Sequence, residues 1–319
     1  MRFTGGRRLT PQRSFAVTSR LALATTGLMF ALIVLGSIVR TTGSGLSCPD
    51  WPLCEGRVIP RFEMHVLLEW GHRLLALLVS LLLFATVIWS VIRREARARL
   101  GPLLGLAVVL LFTQVLLGAL TVWKLLSPAV VASHLAVALL LFTTLLTIGL
   151  IASAESRPGF ADSLEARPAG LLPLFALTGL LIYAQAVMGG IVSSSGAGLA
   201  CPDWPMCRGE WFPALDGQAG LMATHRWLAV LLGGVMITTL VRARASRDAV
   251  IAMTASALLA LMIGQVALGV CNVLLGIRVW LSALHLANAA GMLALSVAAT
   301  WRLAYSPKAQ AVRIVEAVS

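Results

Sequence analysis

The sequence predicts an all-α polytopic membrane protein whose eight transmembrane helices form two parallel-repeat four-helix bundles. Hydrophobic residues make up 59% of the 319 residues and charged residues only 12%. Apolar stretches of about 20 residues recur along the chain, and each is long enough to cross a hydrocarbon core about 30 Å thick. The stretches lack the period-2 alternation of strands, and the second half of the chain repeats motifs of the first. Helices satisfy the backbone in lipid, so we expect helical spans.

The hydropathy pattern predicts four spans in each half of the chain. They lie near 20–39, 66–92, 102–123, 129–152, 170–191, 219–241, 249–275 and 279–303. The stretch 154–169 is polar and contains Pro and Gly, as expected of a cytoplasmic linker. The predicted organisation is an N-terminal tail 1–19, an N-terminal half 20–153, a C-terminal half 170–304 and a C-terminal tail 305–319. An even number of spans per half gives both halves the same orientation.

The net charge of +12 indicates membrane topology rather than nucleic-acid binding. Most Lys and Arg residues, among them Arg93 and Arg242, fall in segments on one side of the membrane. Because positive residues favour the cytoplasmic side, we expect cytoplasmic termini, long outside loops and no nucleic-acid partner. The first 20 residues are rich in Arg and lack acids. A cytoplasmic tail in a bacterial plasma membrane explains them, and a transit peptide to the mitochondrial inner membrane is the alternative.

The repeat is strongest around a long outside loop in each half. Residues 36–56 and 189–209 are identical at 13 of 21 positions, and both contain the motif CPDWPxC. The paired cysteines are Cys48, Cys54, Cys201 and Cys207. An oxidising exterior permits disulfides, so we expect one disulfide within each loop. These bonds are either structural staples or redox-active, assembly-related pairs. Cys271 lies in the seventh span, where we expect apolar packing.

Four of the five histidines occupy matching positions in the two halves. They are His72, His134, His225 and His285, and the offset that relates the second histidine of each pair also relates Gln114 to Gln265. Each pair lies at similar depth on two helices of the same direction, so its imidazoles can face each other across a bundle. Two histidines fit axial ligation of a b-type heme iron better than zinc, which prefers three or four protein ligands. Hydrogen-bonded packing is the alternative for any one histidine, and His65 is assigned to it.

The clearest difference between the halves is Glu69. It lies three residues before His72 on one helix face, and Met222 takes its place in the second half. A carboxylate in a span is costly, so Glu69 is either a general acid/base or a structural carboxylate paired with Arg73. Arg73 and Arg226 are candidate contacts for heme propionates, with snorkelling to headgroups as the alternative. The pattern predicts chemistry in the first half and a resident electron-transfer heme in the second.

These features resemble the heme A synthase family of bacteria and mitochondria. The resemblance covers nearly the whole chain through its eight spans, two repeats, paired histidines, ExxHR motif and first cysteine pair. It implies an oxidoreductase that converts heme O to heme A, oxidising a ring methyl to a formyl group by successive hydroxylations. The implied catalytic residue is Glu69, with His72 and His134 as ligands of the substrate heme. His225 and His285 would ligate the iron of a heme B cofactor.

The resemblance also implies partners. Heme O is the expected substrate, and heme O synthase, a farnesyltransferase, and cytochrome oxidase assembly factors are the expected protein partners. Membrane lipid, an unidentified electron partner, an external thiol–disulfide protein and a second copy of the chain are further candidates. The main alternative function is a di-heme b-type cytochrome that only transfers electrons, which does not require Glu69 in one half alone. A transmembrane thiol–disulfide relay is disfavoured because only Cys271 lies within a span.

Overall fold

Eight long helices account for most of the protein. The structure is a computed structural model that describes residues 10–157, 170–246 and 248–305. The helices are α1 (Pro11–Thr41), α2 (Met64–Val91), α3 (Arg94–Trp123), α4 (Pro128–Glu155), α5 (Leu171–Ser194), α6 (Gly217–Ala245), α7 (Ala249–Leu274) and α8 (Val279–Ala304). All eight are long and apolar enough to cross a membrane. The prediction of an all-helical protein with eight spans is confirmed.

Several helices extend beyond the predicted spans at the ends that carry arginine. α1 begins at Pro11, where the Thr10 hydroxyl accepts a hydrogen bond from the backbone N–H of Arg13. α3 begins at Arg94, and its first two turns are charged. Hydropathy detects only the part of a helix that lies in hydrocarbon, whereas the helix itself continues wherever its backbone remains bonded. The predicted tail 1–19 is therefore helical from Pro11. The rest of that tail, most of the linker and nearly all of the C-terminal tail lie outside the described residues.

The helices of the two halves pack in a matching order. α1 contacts α2 and α4, and α3 contacts α4, while α5 contacts α6 and α8, and α7 contacts α8. Further contacts of α1 with α8, of α4 with α5 and of α4 with α8 join the halves. One hydrophobic core runs through both, and its fully buried side chains include Met29, Leu139, Phe175 and Met236. Because this core is continuous, the division of the chain into two four-helix units remains a prediction from the sequence repeat.

Two of the close contacts between the halves lie near the helix ends that carry the long loops. A Cβ atom on Gly190 of α5 would lie 2.8 Å from a terminal methyl of the Leu135 side chain of α4, so a larger residue would require that side chain to shift. The Arg40 guanidinium at the end of α1 donates a hydrogen bond to the backbone carbonyl of Ser193, 3.4 Å away. Arg40 and Ser193 are matching positions of the repeat. Their contact therefore lies close to the axis that would relate the two halves.

Candidate functional site

Each long loop is closed by a disulfide, as predicted. The bonded pairs are Cys48–Cys54 and Cys201–Cys207. A carboxylate organises each loop from within: Asp50 accepts hydrogen bonds from the N–H groups of Gly56 at 2.7 Å and Glu55 at 2.6 Å. These N–H groups lower the pKa of Asp50. Asp203 makes the matching contacts in the second loop. The Trp–Pro peptide bond of each motif is cis. The two loops thus share one internal structure.

One arginine from the neighbouring helix anchors each loop. Arg73 of α2 donates to the backbone carbonyls of Asp50 at 2.7 Å, Leu53 at 2.5 Å and Cys48 at 3.0 Å. Arg226 of α6 makes similar hydrogen bonds to carbonyls of the second loop. The sequence left two roles open for these side chains, propionate contact and snorkelling to headgroups. The structure places them under the loops, where several of their N–H groups already have acceptors.

Glu69 is buried between α2 and the first loop, with only 4% of its surface exposed. Its Oε1 atom forms an ion pair with Arg73 Nη2 at 2.6 Å. Its Oε2 atom accepts the backbone N–H of Cys48 at 2.8 Å. The pairing with Arg73, one of the two roles that the sequence allowed, is therefore present. The matching Met222 is also buried, in an apolar cluster with the cysteines of the second loop.

Each of the four paired histidines packs against a glycine of the preceding helix. A Cβ atom on that glycine would meet the ring Cε1 atom at 3.1 to 3.3 Å. The pairs are Gly36 with His72, Gly118 with His134, Gly189 with His225, and Gly269 with His285. A side chain on any of these glycines would push the ring away from the helix. Our sequence analysis missed these glycines, although they match at the same offsets as the histidines and this periodicity could have revealed them.

The two histidines of each predicted pair lie near each other. The imidazoles of His72 and His134 are close enough for a Coulomb interaction, and so are those of His225 and His285. The Nδ1 atom of every ring is buried and has no hydrogen-bond partner of normal geometry. Among the described residues, no three His, Cys, Asp or Glu side chains form a cluster that could hold a bare metal ion. Two imidazoles per site instead fit a heme iron, which brings four equatorial nitrogens of its own.

The glutamines beside the second histidine of each pair have different partners. The amide nitrogen of Gln114 lies 3.1 Å from His134 Nε2. The matching Gln265 instead accepts a hydrogen bond through Oε1 from the Asn288 amide at 2.7 Å. The two glutamines match in the sequence repeat. Asn288 is not evident from the sequence, because its pairing with Gln265 depends on how α7 and α8 face each other.

His65 and Cys271 were assigned to neither histidine pair. His65 Nδ1 shares a hydrogen bond of 2.8 Å with the Ser44 hydroxyl, which agrees with a structural role. Cys271 is a free thiol on α7, and it is exposed rather than packed against other helices as the expectation of apolar packing implied. Hydropathy does not distinguish a residue that faces lipid from one that packs against other helices, because both kinds of position on a membrane-spanning helix are apolar.

Comparison with known proteins identifies close relatives over most of the chain. Residues 19–297 match the model of a family described as cytochrome oxidase assembly protein, COX15-CtaA. Heme A synthase of Symbiobacterium thermophilum is 32% identical over 255 residues, which cover 78% of this chain and 83% of the relative. Heme A synthase of Shouchella clausii is 32% identical over 264 residues, or 80% and 86%. The matched region extends from α1 into α8 and includes both loops and all four paired histidines.

Proposed function

The chain belongs to the COX15-CtaA family of cytochrome oxidase assembly proteins, and we propose that it is a membrane oxidoreductase that converts heme O to heme A. One observation carries the assignment of the chemistry to the first half. Arg226 anchors the second loop with Met222 in place of a carboxylate, so Glu69 is not needed to hold the first loop. A buried carboxylate without a necessary structural role is a candidate for chemistry.

In the proposed substrate site, His72 and His134 bind the iron of heme O. Their rings approach from α2 and α4, and Gly36 and Gly118 allow the close packing that orients them. Iron supplies the redox chemistry that oxidation of a ring methyl requires and that side chains cannot provide. The protein contributes the position of the substrate and the exclusion of water by the surrounding apolar helices.

Glu69 is the proposed catalytic residue of this site. Its carboxylate accepts a proton or stabilises positive charge that develops at the edge of the substrate ring. Arg73 and the backbone N–H of Cys48 hold the two oxygens, so the charge is fixed before the substrate binds. Because the first loop supplies one of these two contacts, the loop disulfide and the carboxylate form one connected unit.

In the proposed cofactor site, His225 and His285 hold heme B. Gly189 and Gly269 position these rings as in the first half, and no carboxylate takes the place of Glu69. A heme with two imidazole ligands supplies electron transfer. We infer propionate contacts for both Arg73 and Arg226, since a guanidinium pairs well with a carboxylate. Arg226 suits this role better, because Glu69 already neutralises Arg73.

The proposed location is the bacterial plasma membrane, with both termini in the cytoplasm. The concentration of arginine at one set of helix ends supports this orientation, because positive residues favour the cytoplasmic side. The disulfide loops then face the oxidising exterior. Heme O synthase and oxidase assembly factors are the proposed protein partners, and an external thiol–disulfide protein and a second copy of the chain remain candidates.

A di-heme b-type cytochrome is the second candidate, because all four histidines pack against their glycines in the same way. The heme content of the protein distinguishes the two. We would purify the chain after co-expression with a heme O synthase and separate the extracted hemes by chromatography. Heme B together with hemes O and A is the result expected of the enzyme. Heme B alone, despite a supply of heme O, would exclude it and favour the cytochrome.

A further inference from the structure

We propose that Gln114 makes His134 the exchangeable iron ligand of the substrate site, and that Asn288 prevents Gln265 from doing the same in the cofactor site. The inference depends on the proposed heme sites and concerns how tightly each is held. It assigns a positioning role to two amide side chains, Gln114 on α3 and Asn288 on α8, and none to Gln265 on α7.

The contact between Gln114 and His134 makes the Gln114 amide a competitor of a heme iron for the Nε2 atom of His134. The Gln114 amide nitrogen lies 3.1 Å from His134 Nε2, and an amide N–H can only donate. With the amide in this orientation, the neutral imidazole accepts at Nε2 and carries its proton on the buried Nδ1. The lone pair that accepts this hydrogen bond is the one that a heme iron would need. Iron can bind His134 only after the Gln114 amide has moved away.

The second half has the same glutamine but a different neighbour. Oε1 of Gln265 accepts from Asn288 Nδ2 at 2.7 Å, and the same nitrogen lies 2.9 Å from the backbone carbonyl of Leu261. Within the described part of the chain, the Gln265 side chain makes no hydrogen bond to His285. At the repeat offset Asn288 matches Val137, whose side chain cannot hydrogen-bond an amide. One residue on α8 thus accounts for the different orientation of the two glutamines.

A third glutamine, Gln185, faces the other histidine of the second half. Its amide nitrogen lies 3.0 Å from the backbone carbonyl of His225 and 3.4 Å from His225 Nε2. The carbonyl is the nearer acceptor, so the hydrogen bond to the ring is the weaker of the two. The matching residue in the first half is Leu32. Gln185 therefore competes less strongly for its imidazole than Gln114 does.

The difference suits the two proposed roles. A substrate heme has to enter and leave in every reaction cycle, whereas a resident cofactor has to stay. One intramolecular hydrogen bond changes such an equilibrium by about threefold to tenfold. The Gln114 amide also occupies His134 when the site is empty, so that its Nε2 atom is never left unpartnered. Both effects favour exchange in the first half.

Transfer of hemin to excess apomyoglobin tests the inference on the full-length protein. We would load the purified chain with hemin and follow the Soret band. We expect two kinetic phases of hemin transfer, one from each half. The phase that is lost in His134→Ala belongs to the first half, and the phase that is lost in His285→Ala belongs to the second. We expect Gln114→Leu to slow the first-half phase about threefold to tenfold and to raise the low-spin signal in electron paramagnetic resonance. The matched control, Gln265→Leu, should change neither phase.

Exchange of residues between the halves is the sharper test. Asn288→Val should release Gln265 and accelerate the second-half phase by a similar factor, and Gln265→Leu in that background should restore the original rate. Val137→Asn should slow the first-half phase. Unchanged rates in Gln114→Leu and Asn288→Val, in protein that binds two hemins, would disprove the inference alone. Wild-type protein that binds no hemin would disprove both the inference and the proposed function.

Discussion

The two halves of the molecule hold their histidines in the same way but surround them with different polar groups. In both, the rings lie against glycines and an arginine anchors a disulfide loop. The first half adds Glu69 and leaves Gln114 on an imidazole, whereas the second replaces the carboxylate by Met222 and withdraws its glutamine. The shared features are those that backbone packing determines. The features that differ are single side chains, which can change without altering the helices.

Removal of a cofactor ligand should have the largest effect. We expect His225→Ala or His285→Ala to abolish bound heme B, because the iron would lose one of the two imidazoles that are proposed to hold it. The pyridine hemochrome and the low-spin spectrum of the purified protein measure this loss. His65→Ala is the control, since that ring bonds Ser44 away from the pairs. An unchanged low-spin spectrum in both variants would rule out this assignment of the cofactor site.

Glu69→Gln should lower heme A formation by at least about 100-fold, the scale of general acid–base catalysis. The substitution retains size and one acceptor oxygen but removes the negative charge. Heme B content and the Cys48–Cys54 disulfide should be retained, because the second loop forms without a carboxylate. Heme extraction from cells that supply heme O measures the yield.

The reciprocal change, Met222→Glu, should not make the second half catalytic, because its heme is a fixed cofactor in the proposal. A wild-type yield of heme A from Glu69→Gln cells would show instead that Glu69 is a structural partner of Arg73.

Substitution by alanine of the glycines that pack against the histidines should affect the two proposed heme sites differently. Gly36→Ala and Gly189→Ala each place a Cβ atom 3.1 Å from a ring carbon, and overpacking of this kind costs about 1–3 kcal/mol. We expect Gly36→Ala to impair heme A formation while heme B stays bound, and Gly189→Ala to lower heme B occupancy. Gly27→Ala on α1 has open space and is the matched control. Equal losses of heme B in all three variants would point to a general defect in α1 and α5.

We expect the smallest difference between the effects of replacing the first and the second cysteine pair. Each disulfide closes an equally short loop, worth about 2 kcal/mol in constraint of the unfolded chain. Replacement of either pair by serine should therefore lower stability similarly. Loss of the first pair should reduce heme A formation more, because the backbone of Cys48 holds Glu69. Thermal unfolding measures the loss of stability, and heme A yield measures the loss of function. Equal yields after loss of either pair would show that the first loop does not support the function of Glu69.

The sequence by itself determined the eight membrane-spanning helices and the closure of each loop by its own cysteines. Hydropathy records whether a segment can lie in lipid, and the repeat aligns residues that the fold places equivalently. The disulfide pairing was expected because both cysteines of each pair lie in one loop on the oxidising side of the membrane. Helix ends were less predictable, since α1 and α3 continue into charged turns that hydropathy does not detect.

Only the tertiary structure decided which polar side chains meet. Gln114 and Gln265 match in sequence, yet one bonds an imidazole and the other bonds Asn288 on a different helix. Glu69 lies one turn from His72 in any helix, but its contact with the backbone of Cys48 depends on how the loop folds over α2. A hydrogen bond between helices requires two positions at about 3 Å. That proximity arises from helix packing, which a pattern read along one chain does not record.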